Sequence, residues 1–413
     1  MVEGFKSSDV GLIPKDWSVK KIGDCLLRNP DYGINAAAVP FNENLPVYLR
    51  ITDISEEGNY SKKNIVSVNN VSSSSYYLQD GDLVFARTGA SVGKTYLYTR
   101  KDGKLVFAGF LIRVRTNEEI LLPNYLKYFT QTKQYWDWIA SNSMRTGQPG
   151  INGNEYKELY LALPPTTTEQ SSIANALFDA DALIQQLEQL LAKKRNIKTG
   201  VMQELLKPKK GWEEVCLNDC LELLTDFEAN GSFESVAKNV FITDKEDFAW
   251  YVRATDLENN TELTKVKYVD AKSYMFLAKT KLFGGEVLIT KRGEIGKVYY
   301  FEKKTDFATV APNMYLLKLN NKVVPYFIYV FFKSVGNKLL IEKNASTTLG
   351  ALYKNDVKSI TFSIPTKEEQ TKITQILSDI DREIEEIEMK IAKYNNIKQG
   401  MMQSLLTGKI RLV

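Results

Sequence analysis

Two long segments of the chain, 165–206 and 365–406, repeat apolar residues at helical and heptad spacing between polar and charged ones. Such a stripe predicts an amphipathic helix that buries one face against a partner helix. Each segment opens with Pro-Thr and places Glu three residues after the Thr, the pattern of a capping box at a helix start. Because neither helix has a partner of its own, we expect the two to pair as an antiparallel coiled coil. The pairing surface is predicted to consist of Ile173, Leu177, Leu187, Leu190, Ile380, Ile384, Ile387 and Ile391.

Charged residues interrupt this apolar seam at Lys194, Glu383 and Lys390, so the coiled coil is expected to be imperfect. The alternative is two unrelated surface helices on separate domains. The sustained period favours pairing.

The two segments are copies of one another. Shifted by 200 residues and aligned without gaps, 165–206 and 365–406 are identical at 20 of 42 positions. The regions before them correspond more loosely: Arg50-Ile-Thr-Asp matches Arg253-Ala-Thr-Asp, and 81–94 matches 285–297. The duplication predicts alternating globular domains and helices. The predicted boundaries are 1–164 for the first domain, 165–207 for its helix, 208–364 for the second domain, and 365–413 for the second helix and tail.

Short apolar runs bounded by turn residues predict strands in both globular domains. These strands are expected at 83–86, 105–114, 287–290, 297–301 and 314–319, and short helices are expected after Pro123 and Pro325. The predicted fold class is α+β, with two mixed α/β domains of largely antiparallel sheet joined by the two long helices in a pseudo-twofold repeat.

The composition narrows the possible chemistry. The sequence has no His, which excludes triads and metal sites built on that residue. Cys25, Cys216 and Cys220 are too few for a disulfide framework, and we expect Cys216 and Cys220 to be plain buried thiols that form no metal site. The net charge of +4 permits a nucleic-acid partner without requiring one. We find no signal peptide and no apolar run of membrane-spanning length, and therefore expect a cytoplasmic protein with no membrane contact.

Two stretches resemble catalytic or nucleotide-binding motifs but depart from them. Residues 89–95, Gly-Ala-Ser-Val-Gly-Lys-Thr, have three residues between the glycines where a phosphate-binding loop has four. A tight connection between strands is the favoured interpretation, and nucleotide binding stays open as the alternative. Asn29-Pro-Asp-Tyr32 is similar to the Asn-Pro-Pro-Tyr box of amino-methyltransferases, but it lacks the second Pro and favours a turn.

Polar and basic loops recur at like places in the two domains. Side chains of Arg, Lys, Asn, Gln, Ser and Thr on loops can bind phosphates and base edges, although solvated loop charge is the alternative for any one of them. The candidate DNA-binding residues are Arg87, Thr88, Ser91, Lys94, Arg145, Thr146, Gln148, Lys291, Arg292, Lys297, Asn344 and Thr347.

Over nearly its whole length the chain resembles the specificity subunits of Type I restriction-modification systems. The marks are Pro-x-x-x-Glu-Gln opening each long helix, Ile13-Pro14-x-x-Trp17, Gly81-Asp-Leu-x-x-x-Arg87, and the closing stretch from Gly400 to Arg411. The second domain departs from this pattern, since Gly284-Gly285-Glu286 replaces the Gly-Asp pair and Ala345-Ser-Thr-Thr-Leu replaces the Gly-Gln-Pro loop.

The resemblance implies two target recognition domains, each reading one half of a split double-stranded DNA target through the major groove. It implies no catalytic site and no cofactor in this chain. Modification subunits, expected to be two, would dock on the helices and bring S-adenosylmethionine to methylate adenine, and a restriction subunit using ATP and Mg would join them. The alternatives are a coiled-coil scaffold without a DNA role and a P-loop-like nucleotide-binding protein.

The predicted helix length limits the separation of the two domains. A helix over 166–206 would be about 60 Å long, which corresponds to roughly 17 base pairs.

Overall fold

The computed structural model describes residues 4–144, 147–345 and 351–412. The chain divides into two compact units. Unit 1 comprises 1–188 and 389–413, and unit 2 comprises 189–388. The division crosses both long helices, so each unit contains one globular domain and half of each helix. The four-segment division of the sequence stays a prediction.

Among the described residues, twelve strands and four helices begin in unit 1; the fourth helix continues into unit 2, and the end of the second long helix also lies in unit 1. The strands are β1 Phe5–Ser8, β2 Gly11–Pro14, β3 Ser18–Lys21, β4 Asp31–Tyr32, β5 Ala38–Pro40, β6 Val47–Leu49, β7 Val66–Val68, β8 Leu83–Ala86, β9 Thr95–Leu97, β10 Leu105–Phe107, β11 Leu111–Val114 and β12 Tyr160–Leu163. The helices are α1 Pro123–Phe129, α2 Lys133–Asn142, α3 Gly153–Lys157 and α4 Thr167–Leu205.

Unit 2 has eleven described strands and seven helices. The strands are β13 Glu213–Cys216, β14 Leu221–Asp226, β15 Ile242–Thr243, β16 Ala249–Val252, β17 Lys267–Val269, β18 Lys281–Leu282, β19 Val287–Thr290, β20 Val298–Tyr300, β21 Ala308–Val310, β22 Met314–Leu319 and β23 Thr361–Ile364. The helices are α5 Phe233–Asn239, α6 Ala254–Glu258, α7 Ala271–Phe276, α8 Pro325–Lys333, α9 Asn337–Ala345, α10 Lys354–Lys358 and α11 Lys367–Leu405.

The two units repeat one sheet topology. The strand order β4-β11-β8-β9 of unit 1 returns in unit 2 as β14-β22-β19-β20, and both sheets are antiparallel throughout. A second sheet, β10-β6-β7-β5, returns as β21-β16-β17-β15 with β18 added at one edge. The one parallel pair of each second sheet is also repeated, β6 with β10 and β16 with β21. The predicted duplication, fold class and largely antiparallel sheets are confirmed.

The strand prediction was wrong at one place and shifted at another. The run 105–114 is not one strand, because the chain turns at Gly109, where Leu111 N donates to Ala108 O at 2.8 Å. The chain thereby passes from β10 in the second sheet to β11 in the first. A continuous apolar run cannot show such a crossing, since the residues on both sides are equally buried. The strand expected at 297–301 is shorter, Val298–Tyr300.

The starts of the long helices explain the repeated Glu-Gln pair. The Thr166 and Thr366 hydroxyls accept hydrogen bonds from the amides of Glu169 and Glu369 at 3.2 and 3.3 Å, which is the Thr half of a capping box. The Gln that follows each Glu is 1% exposed, and its side-chain oxygen accepts from the backbone N–H of Leu122 in unit 1 and Val324 in unit 2. Each Gln therefore joins the start of a long helix to the loop before α1 or α8.

The long helices pair within each unit. In unit 1, Ile173 and Leu177 of α4 share a core with Met402 and Leu405 of α11. An ion pair joins Lys398 of α11 to Asp181 of α4 at 2.6 Å.

In unit 2, Leu205 near the end of α4 packs into the core that contains Ile373 and Leu377 of α11. An ion pair joins Lys198 to Asp381, positions related to Asp181 and Lys398 by the 200-residue repeat. Rising numbers in α4 meet falling numbers in α11 in both units, so the pairing is antiparallel as predicted.

The residues predicted for the pairing surface differ in burial. Ile173, Leu177, Ile384 and Ile387 are buried. Leu190 is 41% exposed, whereas Leu187, Ile380 and Ile391 are half-buried.

Candidate nucleic-acid interface

In unit 1 the loop after β8 lies against a second loop that is distant in sequence. Ile151 N donates to Arg87 O and Gly89 N donates to Pro149 O, both at 2.9 Å. Gln148 lies beside Gly89 in this pairing, so close that a Cβ at Gly89 would be 2.8 Å from Gln148 Nε2. The structure therefore brings together Arg87, Thr88 and Gln148, which the sequence could only name separately.

An aromatic ring positions the Arg87 side chain. Its guanidinium lies over the Tyr32 ring at 4.8 Å, a cation–π geometry. The Tyr32 hydroxyl accepts a hydrogen bond from Gly153 N at 3.1 Å, which fixes the ring while it stays 40% exposed. Arg87 is thus held at the surface with no carboxylate partner among the described residues.

Arg87 borders an open groove of about 640 Å³ in unit 1. Its lining includes Arg50, Thr52 and the turn between β10 and β11, which ends in Phe110. Phe110 is 60% exposed. A groove lined by two arginines and an exposed aromatic side chain suits contact with nucleotides.

Unit 2 has a groove of about 520 Å³ at the corresponding place. Its lining includes Arg253, Thr255 and the turn from Ala311 to Asn313, the counterparts of Arg50, Thr52 and the β10–β11 turn. Arg292, 60% exposed and 3.3 Å from Glu228, lies on its rim.

The residue of unit 2 that corresponds to Arg87 is Lys291, and it is buried. Its side chain is 5% exposed and its ammonium is 2.7 Å from Asp226 and 3.2 Å from Glu228. Burial opposes ionisation of Asp226, but hydrogen bonds from Lys291 and Lys354 outweigh it and hold the pKa of this carboxyl below its usual value. Lys291 therefore supports the loop from inside, while Arg292 beside it faces solvent.

The lysines at the ends of the loops after β8 and β19, Lys94 and Lys297, form ion pairs with carboxylates. Lys94 is 2.6 Å from Glu56, and Lys297 forms ion pairs with Glu258 and Glu294. Hydrogen bonds that its ammonium donates to these two glutamates raise the pKa of Lys297 above its ordinary value. A contact from either lysine to DNA would have to compete with these pairs.

The remaining predicted residues are less informative. Ser91 ends a short 3-10 helix, Gly89–Ser91, and is half-buried. Arg145, Thr146 and Thr347 lie outside the described residues, and for Asn344 only the backbone is described.

Sequence reasoning missed an arginine–aspartate pair that is repeated in both grooves. Arg50 Nε and Nη2 donate to the two oxygens of Asp53 at 3.0 and 2.7 Å, and Arg253 does the same to Asp256 at 3.0 and 2.6 Å. The matching Arg-x-Thr-Asp stretches were visible in the sequence, but an Arg that precedes an Asp by three residues is too common to indicate a site.

The Gly-Asp pair of the first domain is structural. Asp82 is fully buried, and Arg115 donates to both its oxygens at 2.7 and 2.9 Å. In unit 2 the counterpart Glu286 accepts from the backbone N–H of Phe283 and Gly284, both at 2.9 Å. Asp82 likewise accepts from the backbone N–H of Gln79 at 2.8 Å. The departure of the second domain from the Gly-Asp pattern therefore preserves the buried carboxylate and this backbone hydrogen bond, and a second backbone N–H replaces the arginine partner.

The stretch 89–95 does not form a phosphate-binding loop. It connects β8 to β9, which pair antiparallel, whereas a phosphate-binding loop leads from a strand into a helix. Gly89 and Gly93 have φ of 71° and 90°, as the tight connection requires. The predicted connection between strands is confirmed.

The three cysteines are free thiols; Cys220 is buried as predicted, whereas Cys216 is only half-buried. Burial raises the pKa of Cys25 and of Cys220 to about 11. The described residues contain no cluster of side chains suited to a metal ion. None of the described helices has the length and apolar character needed to cross a membrane.

The chain matches known proteins over both units. The family model for the Type I restriction modification DNA specificity domain matches the chain twice, over 14–194 and 209–396. The putative type I restriction enzyme MjaX specificity subunit of Methanocaldococcus jannaschii is 26% identical, over 99% of this chain and 97% of its own length. The MjaVIII specificity subunit of the same organism is 24% identical, over 99% and 96%.

A solved structure shares the fold. The type I restriction-modification S subunit from M. genitalium superposes with a TM-score of 0.60 at 15% identity, over 98% of this chain and 99% of that one.

The chain therefore belongs to the Type I restriction modification DNA specificity family. It carries two DNA specificity domains in one polypeptide and is a non-catalytic specificity subunit. The scaffold and nucleotide-binding alternatives are not supported.

Proposed function

We propose that the chain reads a bipartite double-stranded DNA target, each unit contacting one half-target through the groove and loops beside β8 or β19. The observation that carries this proposal is the repetition of one arginine-lined groove at the same place in both units, with Arg50 and Arg87 in one and Arg253 and Arg292 in the other. Arg side chains held just beyond the ends of strands can bind phosphates and base edges together.

The DNA contacts are assigned from exposure and charge. The candidate contact surface of unit 1 consists of Arg87, Thr88, Ser91 and Gln148. The main candidate contact residue of unit 2 is Arg292. Lys94, Lys291 and Lys297 contribute mainly by holding the loops, because their ammonium groups are already paired. Arg145, Thr146, Asn344 and Thr347 complete the proposed set.

The paired helices α4 and α11 are proposed to dock two modification subunits, with a restriction subunit joining that assembly in the cytoplasm. We expect S-adenosylmethionine, ATP and Mg to be bound by those subunits and no cofactor to be bound by this chain. Methylome sequencing of cells with and without the chain tests the proposal. Adenine methylation at one split target should appear only with the chain, and an identical methylome in both cells would contradict it.

We further propose that the lengths of α4 and α11 set the spacer between the half-targets. Insertion of four residues between Gln189 and Leu190, matched by four between Met389 and Lys390, lengthens both helices at equivalent points. Each helix gains about 6 Å, close to two base pairs of duplex. The methylated target should gain about two unspecified base pairs. An unchanged spacer in a methylating complex would contradict this role.

A further inference from the structure

We propose that Arg253 reads a guanine in the half-target contacted by unit 2, and that Asp256 positions it for this contact. The inference rests on the proposed DNA-reading function and assigns a base-specific role to a residue that the sequence did not single out. Arg253 lies on the wall of the unit 2 groove with its side chain 33% exposed, while the Asp256 side chain is 1% exposed.

The hydrogen bonds of Arg253 leave one edge of its guanidinium free. Asp256 accepts from Nε and Nη2 on one side, and the same carboxylate accepts from the Arg253 backbone N–H at 3.1 Å. Because the guanidinium is planar, this arrangement leaves Nη1 and the second hydrogen of Nη2 facing away from Asp256. Neither has a hydrogen-bond partner among the described residues.

Guanine matches this free edge. It presents two adjacent acceptors, N7 and O6, in the major groove, and a fork of two N–H groups satisfies both. A phosphate also offers paired acceptors. However, Asp256 neutralises the charge of Arg253, which weakens attraction to an anion and leaves the direction of the N–H groups intact. The pairing therefore favours a base edge over the DNA backbone.

Unit 1 has the same pair with one change. Arg50 is held by Asp53 in the same way, but its Nη2 also donates to Asn64 O at 3.0 Å. Only Nη1 then remains available, so Arg50 can offer one nitrogen where Arg253 offers two. We expect a strong preference for guanine in the half-target of unit 2 and a weaker preference at the corresponding place in unit 1.

The experiment measures binding of the chain, assembled with its modification subunits, to duplexes in which each G·C pair of the target is replaced in turn by A·T. The wild type should prefer G·C at one position of the unit 2 half-target by roughly tenfold or more. Arg253→Lys should lose this preference and keep the unit 1 half-target unchanged, because Lys retains the charge but cannot form the fork.

Two further variants show whether the lost preference is specific to the Arg253 fork. Lys265→Ala removes one exposed charge from the same unit outside the groove, and it should leave every preference unchanged. Should Arg253→Ala unfold unit 2, Arg253→Lys still carries the test, since its ammonium can neutralise Asp256.

Two results would overturn the assignment. One is full G·C preference in Arg253→Lys together with uniform weakening of binding in Arg253→Ala, which would indicate a phosphate contact. The other is a unit 2 half-target without any G·C pair. Absence of sequence-specific binding by the wild type would instead refute the proposed function.

Discussion

In unit 1 the residue that follows the central strand β8 is Arg87, which lies on the exposed ring of Tyr32. In unit 2 the residue that follows β19 is Lys291, which lies buried against Asp226. The backbone around the two residues is the same: each N–H bonds to a turn residue, Phe110 or Asn313, and each carbonyl accepts from the returning loop. The two units therefore share the backbone of the site but differ in its side-chain contacts. Unit 1 has a surface cation–π contact where unit 2 has a buried ion pair.

A second difference lies where each long helix ends. After α4 the chain continues directly to Trp212 of unit 2, whereas after α11 the tail returns to Trp17 of unit 1 without a covalent link. There Arg411 donates to Asp16 at 2.9 and 3.0 Å, also pairs with the buried Glu169, and lies over the Trp17 ring at 5.8 Å. Hydrogen bonds that its guanidinium donates to Glu169 and Asp16 raise the pKa of Arg411 further above its ordinary value. In unit 1 a salt-bridge cluster therefore holds the end of a long helix to the Trp17 segment, whereas in unit 2 the peptide chain itself makes the corresponding connection to Trp212.

These comparisons predict that the same position has unequal importance in the two units. Asp226→Ala should lower the free energy of unfolding by about 3 kcal/mol, because it leaves the buried Lys291 ammonium without its nearest partner. Tyr32→Ala should cost only about 1 kcal/mol, since a partly exposed cation–π contact is lost. Urea denaturation of both variants measures the difference, and equal losses would contradict the comparison.

The tail contact of unit 1 should be nearly as important. Arg411→Ala leaves the Glu169 carboxylate, 1% exposed, without its cation, and the expected loss is about 2 kcal/mol because Arg411 itself is partly exposed. Hydrogen exchange should show faster exchange at 14–17 and at the tail. Lys409→Ala, an exposed neighbour, serves as the control, and equal protection in Arg411→Ala and the wild type would remove this role.

DNA affinity should depend on the arginine without a carboxylate partner, Arg87, more than on the paired lysine of the same loop, Lys94. In the assembled complex, Arg87→Ala should weaken binding by about 1 kcal/mol, or roughly fivefold in Kd. Lys94→Ala should change Kd less than twofold, since its ammonium is already paired with Glu56. Titration of labelled duplex measures both. The reverse order would show that Lys94 leaves Glu56 to contact DNA.

The smallest effect concerns pH. In the folded chain the pKa of Asp226 lies below its ordinary value of 3.8, so the ion pair contributes its full stability above that pH. The contribution is lost as pH falls from 3.8 through the lowered folded pKa. Unfolding curves below pH 4 should therefore show a steeper loss of stability in the wild type than in Asp226→Ala, whose slope lacks this group. Parallel slopes would contradict the assigned ion pair.

The sequence was sufficient for the features that depend on repetition and period. The 200-residue repeat, the paired helices and the strands at 83–86, 287–290 and 314–319 followed from it because each leaves a regular pattern. Burial at equivalent positions could not be predicted from the sequence. Arg87 and Lys291 are both cations in a loop after a strand, and whether each is buried depends on its neighbour, Tyr32 or Asp226. These neighbours are distant in sequence and come close only through sheet pairing. The Arg-x-Thr-Asp stretches likewise did not indicate a site in the sequence alone, because only the fold shows that the Arg of each lies in a groove.

The central claim is that each unit reads its own half of the target. Replacing residues 1–160 by the corresponding segment of another specificity subunit, and mapping methylation in cells that supply the modification subunits, tests it most directly. We predict that one half of the methylated sequence changes to the donor's while the other half and the spacer stay the same. A target that changes in both halves, or in neither, would contradict the account.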